Sequence, residues 1–180
     1  MADDASPLTR VEEMRLSPWV TVTAKHVRLP GRDGVHVYHA LRQHDYTTVL
    51  ALDPDGRVPL VRQYRPAVER ETLELPGGLH DGEDTPERTA VVELAEEAGL
   101  RVVGALVPLG CFDPDTGRLE NRFWGYFAPR TERIADWTPE PGVACETIAV
   151  DELIAAIDEG RFTMAPHIAL IGLARMRGLL

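Results

Sequence analysis

The chain has 180 residues, 44% of them hydrophobic, which is enough for the core of one domain or one domain with a small extension. A formal net charge of −10 argues against nonspecific nucleic-acid binding, which rests on basic surface, but leaves room for a small anionic substrate whose charge is neutralised locally. The two cysteines, Cys111 and Cys145, form no CxxC, so neither a disulfide framework nor a zinc knuckle is indicated, and no basic-then-apolar leader or membrane-length apolar run is seen. A reducing cytoplasm, with no membrane or nucleic-acid partner, is the expected setting.

Residues 1–15 are polar and acidic and are expected to form a flexible N-terminal segment. Strand-like alternation starts at Trp19-Val20-Thr21-Val22-Thr23, and the Pro30, Gly31, Asp33, Gly34 cluster signals a turn before a return strand from Val35 to Leu41. Residues 16–45 thus read as an N-terminal β-hairpin extension, and 46–180 as the main domain. There, Thr47 to Leu52 is apolar and β-branched, Asp53-Pro54-Asp55-Gly56 is a turn, Val58 to Tyr64 is the next strand, and Glu71 to Leu75 is a short one. Leu75-Pro76-Gly77-Gly78 then reads as a turn whose glycines let backbone approach a ligand.

A helix follows, with Thr85 as N-cap, Pro86 at the first helical position and Gly99 at its end; Val91, Leu94, Ala95 and Ala98 give it an apolar side. Strands are expected at Val102 to Leu109, Phe123 to Ala128 and Thr147 to Val150, and helices from Asp151 to Glu159 and from Pro166 to about Arg177. Strands first, one helix in the middle, then strands and C-terminal helices describe an α+β or mixed α/β sandwich rather than regular βαβ alternation.

The middle helix carries Glu93, Glu96 and Glu97 at i, i+3 and i+4, a spacing that brings all three carboxylates onto one face. Like charges that close repel, and desolvation worsens the conflict. A hard cation such as Mg²⁺ turns that conflict into a site, and a metal held by carboxylates beside a Gly turn suggests chemistry on phosphates.

Gly78 to Leu100 resembles the Nudix box, G, five residues, E, seven residues, then R-E-U-x-E-E-x-G-U with U aliphatic. Gly78, Glu93, Leu94, Glu96, Glu97, Gly99 and Leu100 fall in register. Two positions depart: the first box Glu falls on Asp84, with Glu83 beside it, and the box Arg falls on Val92, with Arg88 one turn earlier as a substitute cation. Leu60-Val61-Arg62-Gln63-Tyr64-Arg65 and Glu71-Thr72-Leu73-Glu74-Leu75-Pro76-Gly77-Gly78 look like the ADP-ribose pyrophosphatase branch, as do Ser17-Pro18-Trp19 and the pattern from Asp151 to the last helix.

The resemblance implies a Nudix-type α/β/α sandwich around a mixed β-sheet, Mg²⁺ or Mn²⁺ as cofactor, and hydrolysis of a nucleoside diphosphate linked to another group. ADP-ribose, giving AMP and ribose 5-phosphate, is the leading substrate; another nucleoside diphosphate sugar or alcohol, such as GDP-mannose or CDP-choline, is a near alternative. A non-catalytic nucleotide-sensing domain is the reading from a different class. The implied metal ligands are the Gly77 carbonyl, Glu93 and Glu97, with Glu96 on a second metal or its water. Glu140, in the loop Trp137 to Val143, is the implied general base, with Glu146 as fallback. Arg62 and Arg65 are implied substrate contacts, Arg65 on the diphosphate or paired with Glu69 or Glu74; Glu74 and Glu120 join that set. Trp19 either stacks on a base or sits in the core or a dimer interface. Relatives of this branch pair through N-terminal strands, so a homodimer through Trp19 to Leu41 is implied. None of the six histidines makes a metal-like cluster, and His80 reads as an exposed turn residue.

Overall fold

The computed structural model describes residues 6–180. β1 (Leu8–Arg15), β2 (Thr21–Val27) and β3 (His36–Arg42) form an antiparallel sheet in that order. Residues 8–15, expected to be loosely ordered, are therefore a strand, paired from Leu8 opposite Val27 to Arg15 opposite Thr21. Backbone hydrogen bonding holds β1 although all its side chains are exposed, so its polar composition carries no sign of the pairing. The part of the expected flexible segment before Ser6 lies outside the described residues.

The described residues up to His44 form one compact unit together with Asp113–Arg122, a segment the sequence reading leaves in the main domain. That segment is stitched on by backbone: the Leu41 amide donates to the Arg118 carbonyl at 2.7 Å, and the Glu120 amide donates to the Leu41 carbonyl at 3.0 Å. Within this unit Leu8, Val11, Met14, Trp19, Val37 and Tyr38 are exposed.

The second unit, Asp45–Phe112 with Phe123–Leu180, contains β4 (Asp45–Ala51), β5 (Val58–Arg65), β6 (Arg70–Glu74), β7 (Gly77–His80), α1 (Pro86–Ala98), β8 (Leu100–Val102), β9 (Val107–Phe112), β10 (Phe123–Ala128), β11 (Thr131–Arg133), β12 (Val143–Ile148), α2 (Val150–Asp158) and α3 (Ala165–Met176). A mixed sheet runs in the order β7-β4-β10-β9, with β10 parallel to β4 and the other neighbours antiparallel. A second, antiparallel sheet runs β12-β5-β6, and β11 pairs with β8. The single strand expected over Val102 to Leu109 is two, β8 and β9, broken where Gly104 takes a φ of 91°.

Both faces of the mixed sheet are covered, which is why β4 reads as a continuous apolar run. Val49, Ala51, Tyr126 and Ala128 pack with Ala90, Leu94 and Ala98 of α1. Leu50, Phe123 and Phe127 pack in the opposite cluster with Leu153 and Ala156 of α2 and Leu170, Ile171 and Ala174 of α3. This is the expected α/β/α sandwich around a mixed sheet. Thr85 caps α1 by accepting from the Arg88 amide at 3.2 Å, and Gly99 ends it with φ 62°. Among the described residues no helix is long and apolar enough to cross a membrane.

Leu50 is fully buried at the centre of β4. Leu50→Ala is expected to lower unfolding free energy by about 2–5 kcal/mol, read from the urea midpoint at unchanged slope.

Candidate active site

The apolar side of α1 fixes where its acidic side goes. With Ala90, Leu94 and Ala98 buried against the sheet, Glu93 and Glu97, one turn apart, line a cavity of about 430 Å³. Gln63 and Arg65 of β5, Glu74 of β6, Gly77 and Gly78 of β7, and His167 of α3 line the same cavity. The two glycines are needed there as strand residues, not as the open turn expected from the sequence. A Cβ on Gly77 would collide with the Thr47 carbonyl and Thr48 across the β4–β7 pairing, and one on Gly78 would collide with the Glu93 carboxylate.

The Gly77 amide donates to Glu97 Oε2 at 2.8 Å. Burial raises Glu97 from its ordinary value of 4.5 to about 7; the Gly77 hydrogen bond opposes the rise, and nearby Glu93 adds to it. Glu93 is raised too, by burial first and then by Glu96, Glu140 and Asp81. Glu74 differs. Burial works to raise it, but bidentate hydrogen bonds from Arg65 at 2.8 and 2.7 Å and one from Thr72 at 2.7 Å hold it below its ordinary range. The cavity thus joins one satisfied ion pair to two desolvated carboxylates, of which Glu97 feels the Arg65 charge without being paired to it.

Among the described residues no three His, Cys, Asp or Glu side chains converge as a metal-binding group. Glu97 accepts from the Gly77 amide through one oxygen, and Glu96 is exposed and does not line the cavity. The donor chemistry fits a hard divalent cation, because two half-buried carboxylates with raised proton affinity face the Gly77–Gly78 backbone.

Of the residues expected at the site, the structure brings together Gly77, Glu93, Glu97, Arg65 and Glu74. Glu96 stays close enough to act on Glu93, and its carbonyl accepts from Trp137 Nε1 at 2.9 Å. Glu140 is exposed and also acts on Glu93, from a loop whose start Trp137 anchors to the end of α1. Arg62 and Glu146 are not in the cavity; they pair with each other at 2.9 Å across β5 and β12. Glu120 belongs to the first unit, where it takes Lys25 and Arg42 at 2.9 Å and a hydrogen bond from Thr23. Burial opposes these contacts, yet together they bring it down to about 2. Trp19, in the same unit between β1 and β2, is 59% exposed and so is not a core residue. Arg88 is exposed and forms no ion pair among the described residues, so it does not stand in for the missing Arg at Val92. His80 is half-buried in β7 beside Thr89, 3.0 Å from its hydroxyl, rather than an exposed turn residue. Tyr46, Thr48, Gln63 and His167 line the cavity without any sequence signal, since each comes from a strand or helix whose pattern only reports burial.

A carboxyl whose value rises from 4.5 in the unfolded chain to about 7 in the fold contributes stability that is fully present below about pH 4.5 and lost as pH rises through 7. The melting temperature of the metal-free protein is therefore expected to fall between about pH 5 and 8, and to fall less in Glu97→Gln, as measured by scanning calorimetry in chelator.

The NUDIX domain model matches residues 42–170, well over half of the chain. The ADP-ribose pyrophosphatase of Mycobacterium tuberculosis is 38% identical over 76 residues, 42% of this chain, and that of Bacillus subtilis is 41% identical over 51 residues, 28% of this chain. The chain spans about a third of the length of these two relatives, 36% and 28%. A CMP-5'-(N-acetyl-N-hydroxy-3-aminopropyl)phosphonate hydrolase of Streptomyces rubellomurinus is 30% identical over 165 residues, covering 91% of this chain and 78% of that enzyme. Among solved structures, an ADP compounds hydrolase superposes with a TM-score of 0.80 over 98% of this chain and 95% of its own, at 18% identity, which is a likeness of fold. From the family match and the carboxylate helix facing the glycine strand, the chain belongs to the Nudix hydrolases and is related to the ADP-ribose pyrophosphatases.

Proposed function

We propose that the chain hydrolyses the diphosphate of a nucleoside diphosphate joined to a second group, with ADP-ribose, cut to AMP and ribose 5-phosphate, as the leading substrate. The observation that carries the reading is the desolvated Glu93–Glu97 pair facing Gly77 and Gly78, with a guanidinium, Arg65, on the same cavity. The Gly77 carbonyl, Glu93 and Glu97 would hold Mg²⁺ or Mn²⁺, with Glu96 serving a second ion or its water. When bound, such an ion neutralises diphosphate oxygens and lowers the pKa of the attacking water. Arg65, oriented by its two bonds to Glu74, presents its remaining donors to a phosphate oxygen. Glu140 is the proposed base: it takes the proton of the water that attacks phosphorus as the bridging P–O bond breaks. Glu146 is the weaker choice, because it is occupied by Arg62. A second cavity of about 280 Å³, walled by Ala67, Val68, Arg70 and Thr163, shares Arg65, Glu74 and Met164 with the first and offers room for one arm of the substrate. Arg62, Glu120 and Trp19 are not used by this reading of the second unit.

A second reading, hydrolysis of a CMP-linked phosphonate, is favoured by the Streptomyces relative, whose alignment runs along nearly the whole chain. Both belong in one assay. Turnover of ADP-ribose, GDP-mannose, CDP-choline and a CMP-linked phosphonate is measured with Mg²⁺ and Mn²⁺. One substrate is expected to dominate, with activity at least about 100-fold lower in Glu97→Gln. Nucleotide binding by calorimetry without turnover of any compound would replace this reading with a sensing domain.

A homodimer through the β1–β2–β3 sheet accompanies the proposal. Exposed Met14, Val37 and Leu41, which share one face of that sheet, and exposed Trp19 support it, as exposed apolar surface marks contact sites. A cytoplasmic setting goes with it, in keeping with a sequence of only two cysteines and no CxxC. Light scattering at micromolar concentration is expected to give a dimer mass, and Trp19→Glu with Val37→Glu is expected to shift it to monomer.

A further inference from the structure

His167 is 3% exposed on α3, and its ring is held beside Phe123 and Phe162, with centroids 6.0 and 6.4 Å away. Its Nδ1 lies 3.1 Å from the Leu75 amide nitrogen, and its Nε2 lies 3.0 Å from Thr48 Oγ1. A backbone amide can only donate, so Nδ1 is the unprotonated acceptor, the ring proton sits on Nε2, and Nε2 donates to Thr48. The tautomer is thus set by the main chain.

Leu75 and Pro76 lie between the end of β6 and the start of β7, so the Leu75 amide has no strand partner. A buried amide left that way is costly, and His167 is what satisfies it. The next groups along the chain are held from two other elements: the Pro76 carbonyl accepts from the Val49 amide of β4 at 2.9 Å, and the Gly77 amide donates to Glu97 of α1 at 2.8 Å. Pro76 has no amide of its own and a fixed φ, so little slack separates Leu75 from Gly77.

We propose that His167 is a positioning residue whose Nδ1 holds the Leu75 amide and thereby sets Gly77 against Glu97 for cation binding. The proposal rests on the metal-dependent reading of the Gly77, Glu93 and Glu97 cavity. It ties the last helix to a site whose motif spans only residues 78–100.

Two substitutions separate this role from simple core packing. In His167→Asn the amide oxygen occupies the place of Nδ1 and keeps the acceptor for Leu75 while losing the donor to Thr48. In His167→Gln the side chain reaches the place of Nε2, keeping the Thr48 contact and losing the acceptor. Mn²⁺ binding to the full chain is measured by electron paramagnetic resonance, below the melting temperature of each variant. His167→Gln is expected to bind Mn²⁺ about 10-fold or more weakly, and His167→Asn within about 3-fold of wild type. Equal affinity for the two variants while wild type binds overturns the inference alone. A wild type that takes up no Mn²⁺ removes the metal reading and this inference with it. Should either variant fail to fold, the wild type still decides: a ¹⁵N–¹⁵N coupling across the Leu75 N–H···Nδ1 bond is expected by NMR, and its absence overturns the proposal.

Discussion

Two carboxylates desolvated one helical turn apart are the constraint around which the second unit is arranged. Glu93 and Glu97 are driven into the cavity because the opposite side of α1 is made of Ala90, Leu94 and Ala98, which are buried against the mixed sheet. Apolar burial therefore supplies the free energy that holds charge where water is scarce. The remaining electrostatic conflict is visible as raised carboxyl affinity for protons at both positions, with burial as the largest cause. Such stored conflict is characteristic of functional sites rather than of stabilising surface pairs.

The backbone opposite α1 is as specialised as the helix. Gly77 allows β7 to approach β4 without a Cβ, and Gly78 leaves room for the Glu93 carboxylate itself. Leu75 to Gly77 is then held from three sides, by α3, β4 and α1, through single hydrogen bonds of 3.1, 2.9 and 2.8 Å. Arg65 is fixed by the two carboxylate oxygens of Glu74, so its fork is held in one orientation.

The departures at Asp84 and Val92 leave this core arrangement standing. Val92 is half-buried and Arg88 is exposed with no ion pair among the described residues, so α1 does not supply the cation that the motif usually carries on this helix. Arg65, on β5 rather than α1, is the guanidinium that acts on Glu97. The positive charge beside the carboxylates thus comes from a strand contributed by an earlier part of the chain.

By itself the sequence determined the elements whose signals are local. The cap at Thr85, Pro86, the stop at Gly99 and the i, i+3, i+4 carboxylates all act within one helix, and the Asp53–Gly56 turn acts within four residues. The apolar, β-branched run of β4 was legible for the same reason, since a strand covered on both faces shows burial along its whole length. Tertiary structure alone decided the rest. β1 is held by pairing with β2 and not by its exposed side chains, and Asp113–Arg122 joins the first unit through main-chain bonds that any side chain would permit. It also sorted the expected site residues, sending Arg65 into the cavity with Glu74 and pairing Arg62 with Glu146 instead. His167 lies about ninety positions beyond the amide it satisfies. A hydrogen bond at that separation depends on how α3 packs across β4 and β10, and no local pattern of residues records it.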